Sequence, residues 1–280
     1  MPRLAANLTL LYNELPILQR FEVAKRAGFR GAEILFPYDI SVTDLQAAAR
    51  ASKMDIVLMN CPAPNWAGGP RGFAAVPELR ARFRADFERA LRISEALSTR
   101  HIRIMAGRAK GDAARACFVD NLRWAARRAP HASLTIKPMS SAEAPGYFLS
   151  DFETAVEVID AVGEPNLGLQ FDLCQVHQIT GDVMACWKRH GPHVRHVQIA
   201  GIKKRHEPSK HDLDFEAFYA ALQASHYPGW ISAAYTPRST TEAGLGWLPT
   251  HARLIRDSQR GNLILPSMQP GSNIRHASAR

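Results

Sequence analysis

The 280-residue sequence has no run of apolar residues long enough to cross a membrane as a helix. Such a span needs about 18 or more consecutive apolar residues. At the N-terminus, Asn7, Thr9 and Asn13 interrupt the apolar stretch that a secretory signal requires. We therefore expect a protein without a signal sequence and without a membrane partner.

Cysteine is also scarce. The sequence contains four cysteines and no CxxC pair: Cys61, Cys117, Cys174 and Cys186. This usage favours free thiols in a reducing compartment, so we expect the protein to be cytoplasmic.

Glycine-rich phosphate-binding turns are absent as well, since neither GxGxxG nor GxxxxGK followed by Ser or Thr occurs. A doubly wound open sheet, which is the alternative architecture, would be expected to carry such a turn after an early strand. Its absence favours a different α/β arrangement.

Acidic residues are outnumbered, with 26 Asp and Glu against 35 Lys and Arg, a net charge of +9 and a pI of about 9.7. A nucleic-acid-binding protein would gather its basic residues into a stripe with interleaved aromatic residues. Here the basic residues are spread over predicted helices. We therefore predict a solvated basic surface and no nucleic-acid partner, with a preference for small anionic substrates as the alternative.

Strand-like and helix-like segments alternate eight times. Apolar runs predict strands over 4–10, 31–36, 55–61, 101–106, 133–139, 166–173, 194–200 and 230–237. The predicted helices cover 14–27, 42–53, 78–97, 113–129, 151–162, 181–190, 214–225 and 240–257. This alternation predicts a single α/β domain, a (β/α)₈ TIM barrel over 1–258, followed by a flexible polar tail over 259–280.

Four predicted strands carry candidate site residues near their ends. Lys137, Asp172, Gln198 and Ala234 occupy comparable positions, so we expect them to line one cavity, capped by the Pro- and Gly-rich loop 62–77. A divalent cation site could use Asp172 and Gln198, with Glu33 as a further carboxylate. The alternative is that Asp172 forms a salt bridge with Lys137.

Six motifs in order along residues 1–248 carry a family resemblance. They are AEILFPYD at 32–39, PGYFL at 145–149, QFDL at 170–173, QIA at 198–200, RHEP at 205–208 and TEAGLGWL at 241–248. Together they resemble the hydroxypyruvate isomerase family of xylose-isomerase-like barrels. The resemblance implies isomerisation of hydroxypyruvate or a related small sugar acid, through an enediol.

The resemblance also implies a site of two glutamates, an aspartate and a glutamine around Mg²⁺ or Mn²⁺. Asp172 and Gln198 match the last two, whereas Lys137 and Ala234 stand at the glutamate positions and Gln175 replaces a histidine. Alanine can neither bind a metal nor transfer a proton, so no cofactor is expected unless the family site survives. The predicted substrate-binding residues are Glu33, Arg71, Gln175, His177, Arg205, His206 and Glu207.

Three functions stay open at this point. The protein could be a working isomerase of a small anionic hydroxy-oxo acid, or an inactive relative that binds such a compound or a partner protein. It could also use Lys137 as a Schiff-base nucleophile, although Asp172 beside it favours the protonated amine. A nuclease of the zinc-dependent DNA-repair type is disfavoured, since it needs many His and carboxylate ligands at the strand ends. A homo-oligomer is left open.

Overall fold

The computed structural model describes residues 3–62, 71–202, 204–209 and 211–259. Eight parallel strands pair in sequential order and close into a barrel, with β8 against β1. The strands are β1 (Arg3–Asn7), β2 (Gly31–Glu33), β3 (Asp55–Asn60), β4 (His101–Arg103), β5 (Ser133–Ile136), β6 (Leu167–Asp172), β7 (Val194–Ile199) and β8 (Trp230–Ala233). The predicted (β/α)₈ barrel is confirmed.

The described helices surround this barrel. They are α1 (Ile17–Ala27), α2 (Val42–Ser52), α3 (Arg80–Leu97), α4 (Gly111–Arg128), α5 (Phe152–Val162), α6 (Leu173–Thr180), α7 (Val183–His190), α8 (Phe215–Ala224) and α9 (Leu248–Gln259). None of them is both long and apolar enough to cross a membrane. The predicted tail lies outside the described residues, except that α9 continues to Gln259.

Side-chain caps explain where several helices begin. Ser41 accepts a hydrogen bond from the backbone N–H of Asp44, and Asp151 does the same for Thr154. Each cap satisfies a backbone donor that has no partner within the first helical turn. The helix predicted over 42–53 begins at Val42 as expected, and the helix predicted from Asp151 begins one residue later, with Asp151 as its cap.

The predicted helix over 181–190 is only partly right. It begins at Val183 with Asp182 as its cap, whereas Gly181, at φ 74°, ends the separate helix α6. No helix is predicted over the residues of α6, because they directly follow an apolar strand. The last predicted helix also divides, into a 3₁₀ helix (Glu242–Trp247) and α9.

All eight strands were predicted to end too late, by one residue in β3, β6 and β7 and by three or four residues in β1, β2, β4, β5 and β8. Apolar residues continue past their ends into buried loops, as Leu8, Ile34 and Ile104 show. Beyond β4, Ala106 forms an antiparallel bridge with Gly72 instead of extending the barrel. Hydrophobicity therefore marked burial at these positions rather than the end of strand pairing.

The layer between barrel and helices is apolar, whereas several buried polar side chains lie inside the barrel. On β6, Phe171 packs edge-on against Trp187 of α7, while Gln170 and Asp172 alternate with it and face inward. In the interior, Glu33 of β2 contacts His196 of β7, and His196 lies beside His101 of β4. Side chains from non-adjacent strands thus meet on the barrel axis, directly beneath the carboxyl ends of the strands.

Candidate functional site

A cavity of about 490 Å³ opens at the carboxyl ends of the strands, and we call it the mouth cavity. Its described lining consists of Asn7, Leu10, Leu35, Phe36, Asn60, Arg71, Arg103, Met105, Lys137, Met139, Glu143, Gln198, Arg205, Ala234 and Thr236. Lys137, Gln198 and Ala234 thus lie where the strand pattern predicted. Of the loop expected to cap the cavity, residues 63–70 lie outside the described part of the chain, and Arg71 contributes to the lining.

Asp172 lies behind this lining, fully buried at the end of β6. Its Oδ1 caps α6 by accepting from the backbone N–H groups of Cys174 and Gln175, at 3.2 and 3.4 Å. Arg205 donates to both carboxylate oxygens, at 3.2 and 2.5 Å. Burial tends to raise the pKa of Asp172, but Arg205 and Lys137 outweigh burial and hold that pKa well below its ordinary value.

Lys137 connects Asp172 with the cavity. Its Nζ donates to Asp172 Oδ2 at 2.8 Å and to Gln198 Oε1 at 3.1 Å, and the residue is 5% exposed. Burial is the largest influence and lowers the pKa of Lys137; Asp172 opposes this shift, while Arg103 and Arg205 add to it. The result is a pKa of about 8 instead of 10.5. The salt bridge foreseen from the sequence is present, yet it does not hold this lysine at its ordinary basicity.

Glu33 occupies the barrel interior beneath the mouth cavity and is completely buried. Its oxygens accept from Gln198 Nε2 at 2.8 and 3.0 Å, from Asn7 Nδ2 at 2.6 Å and from His196 Nε2 at 2.5 Å. Burial opposes ionisation, but these donors lower the pKa of Glu33. All its described hydrogen bonds are internal, and Glu33 is not part of the described cavity lining, where the sequence placed it as a substrate-binding residue.

Arg103 lines the cavity, although it is not among the predicted site residues. It is 6% exposed, its Nη2 lies 3.4 Å from Met139 Sδ, and its Nε has no hydrogen-bond partner among the described residues. The Oδ1 of Asn60, which also lines the cavity, has no hydrogen-bond partner among the described residues either. Buried polar atoms without partners are costly, and a bound ligand would satisfy them. Strand alternation from His101 could have indicated that Arg103 faces inward.

Two of the other predicted substrate-binding residues lie at or behind the cavity wall. Arg71 lines the cavity and pairs with Glu143 at 3.3 Å. Gln175 is buried behind the wall, where its Nε2 donates to Glu143 and its Oε1 accepts from the N–H of Ser140 at 2.6 Å. Gln175 therefore holds Glu143 in place.

The remaining three predicted residues are not part of the described lining. His177 is exposed on α6. His206 and Glu207 line a neighbouring cavity of about 290 Å³, where Glu207 pairs with Arg238 at 3.4 Å. The loop after β7 directs these two residues away from the mouth cavity. Two backbone bonds of Thr236 hold the loop in this course: its carbonyl oxygen accepts from His206 Nδ1, and its N–H donates to the carbonyl oxygen of Arg205.

The residues at the site do not fit a divalent cation. Both oxygens of Asp172 accept from cationic side chains, and Gln198 directs its only oxygen to Lys137. A hard cation needs several free oxygen ligands, whereas here the ammonium of Lys137 lies between the two candidates. Elsewhere in the described chain, no group of three His, Cys, Asp or Glu residues could hold a metal.

Comparisons with known proteins agree with this architecture. The family model described as xylose isomerase-like TIM barrel matches residues 21–251. The 2-oxo-tetronate isomerase of Cupriavidus necator is 39% identical over 89% of this chain and 98% of that protein. The hydroxypyruvate isomerase of Escherichia coli is 34% identical over 89% of this chain and 98% of that protein.

A solved structure is also similar. The crystal structure described as AP endonuclease, family 2, from Brucella melitensis has a TM-score of 0.86 and 36% sequence identity, with 90% of this chain and 99% of that chain covered.

Proposed function

Because the chain belongs to the hydroxypyruvate isomerase family of xylose isomerase-like TIM barrels, we propose that its mouth cavity binds a small hydroxy-oxo acid. The relatives' names identify hydroxypyruvate and 2-oxo-tetronate as the acids to test first. The proposed reaction class is isomerisation between neighbouring hydroxyl and oxo carbons.

The observation that carries this proposal is the positive charge of the cavity. Four cationic side chains line it: Arg71, Arg103, Lys137 and Arg205. Glu143 is the one carboxylate in the described lining, while Asp172 is buried behind it and Glu33 beneath it. The four cations outnumber these three carboxylates, so the electrostatic field of the described residues attracts an anion.

Individual groups suggest how the acid would lie. The guanidinium of Arg103, with its unpartnered Nε, is suited to a carboxylate, which it can bind through two parallel hydrogen bonds. The unpartnered Oδ1 of Asn60 would accept from a substrate hydroxyl group. Lys137 would donate to the oxo oxygen, the position at which the family resemblance implies a metal.

Turnover requires a base in addition to this binding. Ala234 cannot act as one, so proton transfer would depend on Lys137 and on Glu143, whose carboxylate is paired with Arg71. The second candidate function is binding without turnover, and the observation that favours it is Ala234 at a position where the family resemblance implies a glutamate.

Calorimetric titration with hydroxypyruvate tests the binding proposal. We expect binding that is unchanged by EDTA, and Arg103→Met should weaken it about 10- to 100-fold, since hydrogen bonds to charged groups contribute about 1.5 to 3 kcal/mol. Arg92→Met, at an exposed position on α3, is the matched control and should bind as the parent does. No binding by the folded parent, or equal binding by Arg103→Met, would contradict the proposal.

The fate of the bound acid separates the two candidate functions. Hydroxypyruvate loss, followed by NMR in the presence of EDTA and then of Mg²⁺, would identify a metal-independent or a metal-dependent isomerase. Binding without loss in either condition supports the second candidate.

A further inference from the structure

We propose that Lys137 captures the oxo carbon of the bound acid covalently, as an iminium adduct. This inference rests on the proposed function, because the acid must first occupy the mouth cavity. It assigns Lys137 a nucleophilic role that the metal-and-glutamate chemistry implied by the family resemblance does not include.

The hydrogen bonds of Lys137 suit a neutral amine. An ammonium has three N–H donors, whereas a neutral amine has two donors and a lone pair. The described acceptors of Nζ are two, Asp172 Oδ2 at 2.8 Å and Gln198 Oε1 at 3.1 Å. Loss of one proton therefore leaves both hydrogen bonds in place and provides a lone pair on a side chain that lines the cavity.

The surrounding charges also make Lys137 the group that loses a proton most readily. Arg205 already neutralises Asp172 through two hydrogen bonds, and two backbone N–H groups add to them. The ammonium of Lys137 is thus a surplus cation close to Arg103 and Arg205. Burial and these two arginines outweigh Asp172 and lower the pKa of Lys137 to about 8, so about a tenth of the lysine is the neutral amine at pH 7 and about half at pH 8.

The capture step is balanced without an added reagent. The Nζ lone pair forms a bond to the oxo carbon while the oxo oxygen takes up a proton, and the resulting carbinolamine then loses water. From the protonated lysine, ketone and ammonium give iminium and water, with no net change in protons or electrons. The positive iminium nitrogen stays beside Asp172, which accepted from the original ammonium. An iminium also makes the neighbouring C–H more acidic, as an isomerisation requires.

Reductive trapping tests the inference. The protein is incubated with hydroxypyruvate and sodium cyanoborohydride, and peptide mass spectrometry locates the reduced adduct. We expect the adduct on Lys137, with a trapping rate that rises from pH 7 to pH 9 as the amine loses its proton. Lys137→Arg, which keeps a cation but has no nucleophilic amine, should lose the adduct. Lys188→Arg, at an exposed position on α7, should keep it.

A second ligand separates failure of this inference from failure of the proposed function. Glycerate has the carboxylate and hydroxyl groups but no oxo carbon, so it should bind in calorimetry and give no adduct. Binding of both acids with no adduct on Lys137, or with adducts only on exposed lysines, would overturn the capture while leaving the binding function intact. Failure of the folded parent to bind either acid would overturn both.

Discussion

Replacing Lys137 with methionine should make the protein more stable at neutral pH. The ammonium is buried, and its pKa is lowered from 10.5 to about 8. At neutral pH, folding therefore costs free energy, because the lysine must either be buried as an ammonium or give up its proton. A shift of this size corresponds to roughly 3 kcal/mol at pH values below 8, at about 1.4 kcal/mol per pKa unit. Methionine has a similar length and carries no charge.

The loss of a hydrogen bond offsets part of this stabilisation. Without Lys137, Gln198 Oε1 loses its donor, which costs about 1 kcal/mol, whereas Asp172 keeps Arg205 and two backbone donors. The net expectation is a stabilisation of about 2 kcal/mol near pH 7, measured by urea denaturation.

The pH dependence gives a sharper measurement. Between pH 8 and 10.5 the unfolded lysine binds more protons than the folded one, so the free energy of unfolding of the parent should rise with pH in this window. This rise amounts to roughly 3 kcal/mol and should be missing in the Lys137→Met variant, while other titrating groups affect both proteins equally. Lys188→Met is the control and should follow the parent. Identical pH profiles for parent and Lys137→Met would refute the reasoning, as would a large destabilisation of the variant at pH 7.

Two further predictions concern the metal and the loop beside β4. Purified parent protein should hold little Mg²⁺ or Mn²⁺ by elemental analysis. The double variant Lys137→Glu with Ala234→Glu should restore metal binding and hydroxypyruvate loss, and either single change should do much less, because such ligands act as a unit. Stoichiometric metal in the parent that is lost in Asp172→Ala would contradict this prediction. Gly72→Ala should lower the midpoint of thermal unfolding markedly, because φ is +80° and a Cβ would lie 2.3 Å from the carbonyl oxygen of Met105. Gly111→Ala has the same φ with nothing within 4 Å and should cost much less, so equal losses in the two variants would exclude the clash as the cause.

The site could be predicted from the sequence only as far as the strand ends allowed. Lys137, Gln198 and Ala234 follow apolar runs, and parallel strands in a barrel bring their carboxyl ends to one face. Glu33 also lies at a strand end, but whether such a side chain reaches the cavity or stays below it depends on strand stagger and on contacts with other strands. Its contacts with His196 and Gln198 join residues more than 160 positions apart. No local pattern carries that information.

Arg103 is the opposite case, a residue that lines the cavity but was not predicted to do so. Its strand is three residues long, so the alternation with His101 that indicates an inward direction covers only three positions. His206 and Glu207 were grouped with Arg205 because they are adjacent in sequence, yet the loop after β7 directs them to a different cavity. In loops, direction follows from backbone hydrogen bonds such as the one from Thr236 to Arg205, not from sequence neighbourhood.

By itself, the sequence determined the barrel and the residue types at most strand ends, because eight alternating apolar and amphipathic segments allow few other arrangements. The tertiary structure alone decided the charge state of the site. Asp172 beside Lys137 reads in sequence as a simple ion pair that keeps the lysine protonated. In the fold, Arg205 reaches Asp172 from the loop after β7 and Arg103 approaches from β4, so the lysine becomes the surplus cation and its pKa falls. Electrostatic energy depends on distance and burial, and folding sets both.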